Sequence, residues 1–232
     1  MTINITVPSS WAELDPKQLL YACFLLSSGH YDPDQIKSLC LIRWGKLTEE
    51  QLERLKPEQI AAFLTVMDWL MEIPPLPVCL PVLQKHEAQY DAKLHGLPFE
   101  QWLFIENQYQ GYLHRKDIAF LNAVAGVLYG AGLHLSAPEA YSIFLWIASV
   151  KQYFANRFTH FFVPAPVDTT QQQNIHEQLV RSMNTQIRAL TKGDITKEKE
   201  ILAMDVYRAL TELDAQAEEY NELKRMQEKH GK

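Results

Sequence analysis

The chain of 232 residues is long enough for one large domain, or for one domain with an appendage. Hydrophobic residues make up 47% of it and charged residues 22%, which excludes a largely disordered protein. Its formal net charge of -6 lacks the basic surplus that phosphate contacts need, so nucleic acid is not expected as the main ligand.

Neither a membrane anchor nor a secretory leader is expected from the sequence. The closest approach to a membrane-spanning run, residues 140–150, is much shorter than the ~20 residues required. The first residues lack the basic and apolar parts of a leader peptide. Cys23, Cys40 and Cys79 lie far apart without a CxxC spacing, which is typical of buried thiols in a reducing compartment. We therefore expect a cytoplasmic protein.

At the start of the chain apolar and polar residues alternate, and helix-start signals follow. Ile3, Ile5 and Val7 alternate with polar residues, which predicts a short N-terminal strand. Four segments then combine cap residues, proline and glutamine in the patterns that open an α-helix. These segments start at Asp15, Asp32, Thr48 and Pro57. They predict a helical N-terminal region.

A proline-rich stretch over residues 73–82 separates these helices from three more. Its prolines exclude a helix, so we expect it to lie extended against the body, where it can pair with the N-terminal strand only as an edge. Further helices are predicted from residues 96–100 onward, over residues 117–129, and from Ser136 to about Phe158.

A second proline-rich stretch divides the predicted architecture. We predict a helical body over residues 1–163, a Pro/Thr/Gln linker over 164–173 and an antiparallel helical hairpin over 174–232. A stripe of apolar residues marks the first hairpin helix. In Lys192-Gly193-Asp194, Gly193 can end this helix and Asp194 can start the next one. The stripe consists of Ile175, Leu179, Met183, Ile187 and Leu190. The predicted fold class is mainly α.

The second hairpin helix carries the most regular apolar seam in the chain. It consists of Ala203, Val206, Leu210, Leu213, Ala217 and Tyr220, at alternating spacings of three and four. Such a seam packs against another helix. Two uses fit it equally: burial against the protein's own body, or contact with a partner, including a second copy. We predict Val206, Leu210, Leu213, Ala217 and Tyr220 as partner-binding residues, and Phe161 and Phe162 as a second apolar patch.

The sequence contains no complete chemical motif. Its eight histidines lack the spacings of a zinc site, so no metal ligand is predicted. His114-Arg115-Lys116-Asp117 is interpreted as a turn with a helix cap, and Gly130-Ala131-Gly132 as the end of a helix. No catalytic residue and no cofactor-binding residue is predicted, and we do not expect an enzyme.

Aromatic and basic residues alternate near the end of the helix that starts at Ser136. Such a pattern can stack single-stranded bases, with Lys151 and Arg157 beside the phosphates. However, Tyr141 and Phe144 recur with the neighbouring Leu145 at helical spacing, which favours a core helix. The aromatic residues of this pattern are Tyr141, Phe144, Trp146, Tyr153, Phe154, Phe158, Phe161 and Phe162.

Parts of the chain resemble a family of small proteins from Bacteroides-type prophages. The resemblance rests on MNTQIRALTKGDITKE at residues 183–198, YRALTELDA at 207–215 and VPSSWAEL at 7–14. These parts cover the N-terminus and roughly the last fifty residues. The family looks like components of phage tail-assembly modules, encoded near the tape-measure protein, and its motif marks no active site.

The resemblance implies a phage tail-assembly chaperone-like factor without enzymatic activity. Such a factor would cover a long helical tape-measure or tail protein by helix-in-groove recognition, and self-association is also compatible with it. The alternatives are a structural virion component, such as a tail-completion or connector protein, and a nucleic-acid-binding regulator. A ring-sized oligomer would identify the structural component, and salt-dependent binding to DNA or RNA would identify the regulator.

Overall fold

The computed structural model describes residues 5–75, 86–130, 132–163 and 175–230, and these parts are mainly α-helical. The helices are α1 (Pro16–Ser28), α2 (Pro33–Trp44), α3 (Glu49–Glu53), α4 (Pro57–Val66), α5 (Phe99–Arg115), α6 (Ile118–Tyr129), α7 (Ala137–Arg157), α8 (Ile175–Thr191), α9 (Glu198–Leu202) and α10 (Val206–His230). Short 3-10 turns lie at Trp11–Glu13, Asp68–Met71 and Ile195–Lys197. Within the described ranges, no helix combines the length and the apolar character that a bilayer crossing requires.

The helix starts lie where the capping residues predict them. The Asp15 carboxylate accepts hydrogen bonds from the backbone N–H groups at the start of α1, and the Gln18 side chain accepts one from the Asp15 N–H at 3.0 Å. Asp32 and Gln35 repeat this capping box at the start of α2. The observed helices confirm the mainly α class that the sequence predicts. The class is predictable because the capping signals agree with the hydrophobic periodicity.

The predicted N-terminal strand is wrong. From Ile5 to Pro8 the backbone is irregular, and Ile5 and Val7 instead pack against the core of the N-terminal helices. Ile3 lies outside the described residues, as does most of the 73–82 segment that was its expected neighbour. Two alternating apolar residues are sufficient to bury side chains, but a strand also needs a neighbouring strand for its hydrogen bonds.

The buried residues form two clusters that meet at α7. The N-terminal cluster joins α1, α2 and the 3-10 turn at Asp68–Met71, and Leu145 of α7 belongs to it. The C-terminal cluster joins α5, α6, α7, α9, α10 and, through Leu190, the end of α8, with Trp146, Phe99 and Phe154 among its fully buried side chains. Phe144 packs against both. Helix α7 is therefore the central element of the described fold.

The two long helices of the C-terminal segment contact each other, and the segment also shares a core with the predicted body. Backbone hydrogen bonds join its start to the start of α5: the Phe99 N–H donates to the Met204 carbonyl at 2.8 Å, and the Val206 N–H to the Leu97 carbonyl at 2.9 Å. The Gly96 N–H donates to the Asp205 carboxylate at 2.9 Å. The predicted 164–173 linker lies outside the described residues.

A one-turn helix interrupts the connection between the two long helices of the C-terminal segment. Helix α8 is followed by Lys192 and Gly193, both with positive φ (53° and 82°), then by a 3-10 turn and α9. Helix α10 begins at Val206 because Asp205 caps it, accepting from the Tyr207 N–H at 2.9 Å. Ala203, the first residue of the predicted seam, therefore lies before α10.

Candidate protein-binding surface

Three residues of the predicted seam are core residues of the protein itself. Val206 and Leu210 are 0% exposed and Leu213 is 4% exposed, and all three belong to the C-terminal cluster. Helix α10, which carries them, packs against α8 of the same segment and against α5 of the body. The prediction that Val206, Leu210 and Leu213 bind a partner is therefore corrected: their side chains are occupied within the fold.

The later part of the seam leaves the core. Ala217 is half-buried, while Tyr220 is 68% exposed. Leu223 and Met226 continue the apolar character of the helix and are also exposed. We call Tyr220, Leu223 and Met226 the apolar end of α10.

Phe161 and Phe162 follow directly after α7 and are both half-buried. Their ring centroids lie 4.8 Å apart with the planes at 77°, an edge-to-face pair. One carboxylate oxygen of Asp214 on α10 accepts the backbone N–H groups of both His160 and Phe161, each at 2.8 Å. The predicted phenylalanine patch is thus fixed against α10 by its backbone, while its rings face other elements.

The rings of Phe161 and Phe162 line a cleft of about 460 Å³ between α5 and α8, which we call the α5–α8 cleft. Its α5 wall contains Trp102 and Leu103, and its α8 wall contains Leu179 and Met183 among more polar residues. The volume falls in the range of ~300–1,000 Å³ typical of ligand pockets. Apolar walls with a polar edge are typical of a surface that accepts side chains of another protein.

A second cleft of about 640 Å³ lies on the other side of Phe162, between α5, α7 and the segment after Met71; we call it the α5–α7 cleft. Its walls include Ile73, Tyr109 and Ala155. Phe162 and Lys151 line both clefts. The two clefts therefore adjoin each other at Phe162 and Lys151.

An ion pair lies where the two clefts meet. The Lys151 ammonium contacts both carboxylate oxygens of Glu106, and both side chains are about a quarter exposed. The Gln110 amide donates to the same carboxylate at 2.9 Å, and the Lys151 Nζ lies 5.0 Å from the Tyr109 ring centroid. Burial, with the nearby Glu106 charge, raises the pKa of Tyr109 to about 12. The charges of Lys151 and Glu106 are thus paired with each other where the two clefts meet.

The aromatic residues of α7 and its exit are buried or half-buried. Trp146 and Phe154 of α7 are 0% exposed and Phe158, directly after the helix, is 4% exposed, while Tyr141, Phe144 and Tyr153 are half-buried. The Arg157 guanidinium lies 5.8 Å from the ring centroid of Tyr207. A platform for stacked bases needs open ring faces, and the three buried rings do not offer them.

A smaller polar cluster lies at the start of α10. The His95 ring stacks on Tyr207 at 4.5 Å between centroids, and its Nδ1 lies 2.6 Å from the Asp91 carboxylate. The same carboxylate accepts from the Lys93 and His95 N–H groups, so it closes a turn. Within the described ranges no three His, Cys, Asp or Glu side chains are grouped as metal ligands.

Sequence reasoning found part of this surface. The sequence predicts the stripe of α8 from its spacing and the two phenylalanines from their place before the second proline-rich stretch. It does not predict the roles of Trp102, Glu106 and Asp214, because these arise from helices that meet only in the fold. No family model matches the sequence, and no curated protein and no solved structure is significantly similar to it.

Proposed function

We propose that this protein binds another protein without chemical catalysis, and that it takes apolar side chains of the partner into the two clefts around Phe162. The observation that carries the proposal is the position of this ring, which lines both clefts. A binding surface with a central aromatic residue is typical of protein interfaces, in which a few large side chains supply most of the affinity.

The charges near Phe162 favour an apolar partner segment over a charged one. Lys151 and Glu106 already neutralise each other, and a partner charge buried beside them would lack a counter-ion. Walls that contain Trp102, Leu103 and Met183 gain most from leucine, methionine or phenylalanine side chains. A helix presents such side chains on one face, which is the helix-in-groove mode of recognition.

The resemblance to prophage tail-assembly proteins gives this proposal a specific partner class. We propose a chaperone-like role, in which the protein covers an apolar helical segment of a tape-measure or tail protein until the tail assembles. The partner is then a long chain with amphipathic helices that aggregate when uncovered.

The test is co-expression with the tape-measure protein of the same prophage. We expect the wild-type protein to co-purify with it and to keep it soluble, and Phe162→Glu to weaken binding at least about tenfold, because a carboxylate would face both apolar clefts. Phe24→Glu on α1 is the matched control, since Phe24 is 51% exposed and lines neither cleft. Equal binding by both variants would refute the site, and no co-purification by the wild type would refute the role.

A structural virion component is a second candidate, and the apolar end of α10 favours it. Tyr220, Leu223 and Met226 are 68%, 60% and 56% exposed, and a repeated contact between copies would bury them. The molar mass of the purified protein separates the two roles: a ring-sized oligomer that Leu223→Glu dissociates supports the structural role, and a monomer argues against it.

A further inference from the structure

Helix α8 forms one wall of the α5–α8 cleft and packs unevenly on the rest of the protein. At its C-terminal end Leu190 is only 7% exposed, and Ile187 and Met183 pack partly against the C-terminal cluster. Towards its N-terminal end Leu179 lines the open cleft and Val180 is 40% exposed. Burial thus decreases along the helix with distance from residue 192.

The space between α8 and α5 is a second sign of loose packing. The α5–α8 cleft of about 460 Å³ is open to the surface and separates the cleft-lining residues of α8 from those of α5. Three polar side chains of α8 also donate within the helix itself: Thr185 to the Arg181 carbonyl, Gln186 to Ser182, and Thr191 to the Arg188 carbonyl. These hydrogen bonds would survive if α8 left the body.

The connection after α8 can serve as a hinge. Lys192 and Gly193 adopt left-handed conformations, and an added Cβ at Gly193 would meet no atom within 4 Å. The Gly193 N–H closes the helix by donating to the Arg188 carbonyl at 3.1 Å. Neighbouring α10 is fixed differently, by buried residues and by Asp214. A rotation at residues 192–193 would therefore separate α8 from α9 and α10, against which it packs, while α10 stays on the body.

We infer that α8 is a displaceable cover, and that the surface beneath it, formed by α9, α10 and, across the α5–α8 cleft, by α5 and residues 161–163, binds a partner's amphipathic helix in the place of α8. The present occupant defines the chemistry of the partner: apolar residues at spacings of four, as in Leu179, Met183 and Ile187, with a polar opposite face. This inference rests on the proposed function, because it names the kind of helix that the clefts accept.

A tethered cover acts as an intramolecular competitor. Because α8 is joined to its own binding surface, its effective concentration there is in the millimolar range, on the order expected for short connections. A partner helix must therefore bind better than α8 or arrive at high local concentration. Weakening the contacts of α8 should raise the apparent affinity for any helix of the same pattern by the same factor.

The test uses the helix itself as the probe. A fluorescein-labelled peptide of residues 175–191 is titrated with the full chain and read by fluorescence anisotropy. We expect Met183→Glu with Ile187→Glu in the protein to increase affinity for the wild-type peptide at least about tenfold, because the charged α8 no longer competes. The peptide that carries the same two changes should not bind either protein.

The matched control is Val180→Glu with Asn184→Glu, which adds the same charges at the same spacing on the exposed side of α8. Its affinity for the peptide should equal that of the wild type. Equal binding by all proteins, or no binding to the folded Met183→Glu/Ile187→Glu variant, would overturn the inference. Because no external partner enters this assay, its failure would leave the co-purification result of the proposed function intact.

A milder variant decides the question if the double variant does not fold. Gly193→Ala places a side chain at φ 82°, which strains the closed connection. We expect hydrogen exchange of the α8 amides to accelerate about fivefold or more, with the amides of α5 and α7 unchanged. If the α8 amides were as protected from hydrogen exchange as the α5 amides in both the wild type and Gly193→Ala, α8 would be an integral part of the fold and the inference would be wrong.

Discussion

The Asp214 carboxylate is the main polar link between the exit of α7 and α10. It accepts the backbone N–H groups of His160 and Phe161, so it fixes the position from which both phenylalanine rings enter the clefts. We expect Asp214→Ala to lower the free energy of unfolding by about 2 kcal/mol, because two donors lose a charged acceptor. Urea unfolding followed by circular dichroism measures this change.

Asp214→Asn is the control for this prediction. The amide oxygen of asparagine can accept the same two hydrogen bonds without the charge, so this variant should lose less than half as much stability. Equal losses of stability in the alanine and asparagine variants would mean that the charge alone matters. No loss in the alanine variant would mean that the Asp214 hydrogen bonds do not stabilise the fold.

Individual residues differ in how well the sequence predicts them. The capping residues Asp15 and Asp32 are predictable because their partners lie within three positions along the chain. Asp214 is not, because the N–H groups that it accepts lie more than fifty positions away. Nothing in the local pattern of α10 distinguishes its carboxylate from exposed neighbours such as Glu212.

Among the helices, α5 and α6 make one of the closest contacts in the fold. An ideal Cβ on Gly111 of α5 would lie 2.6 Å from Cε1 and 2.7 Å from Cδ1 of Phe120. We expect Gly111→Ala to destabilise the protein by about 1 kcal/mol, because the strain of moving the Phe120 ring exceeds the gain in helix propensity. Thermal unfolding at matched conditions measures the difference.

Gly126 of α6 provides the opposite case. No atom lies within 4 Å of an added Cβ there, so only the higher helix propensity of alanine remains. Gly126→Ala should therefore stabilise the protein by about 0.5–1 kcal/mol. If both alanine variants were stabilised equally, the close approach of α5 and α6 would be refuted. The sequence predicts both helices but not which glycine marks their contact, because that depends on how the helices cross.

On the scale of the whole molecule, the seam of α10 illustrates what periodicity leaves open. The spacing of Val206, Leu210 and Leu213 correctly predicts a helix with one apolar face, but the same spacing fits a core and an interface equally. The surroundings decide: the bonds of Phe99 to Met204 and of Val206 to Leu97 bring α10 onto α5. Such long-range pairing has no local signal in the sequence.

A shared core predicts that damage to α10 spreads to the rest of the C-terminal cluster. Leu210 and Leu213 lie in the same cluster as Trp102 and Trp146. Leu210→Ala should cost about 3 kcal/mol, and Leu210→Glu with Leu213→Glu should prevent this cluster from forming, because two carboxylates would be buried without partners. Tryptophan fluorescence measures the outcome, since exposure of Trp102 and Trp146 shifts their emission to longer wavelengths.

The control uses the exposed part of the same helix. Tyr220→Glu with Leu223→Glu adds the same charges at the same spacing, but both positions are exposed, so tryptophan emission and the unfolding midpoint should stay close to those of the wild type. A Leu210→Glu/Leu213→Glu variant with unchanged emission would mean that α10 folds apart from α5 and α7. Red-shifted emission in that variant alone would establish that body and C-terminal segment fold as one unit.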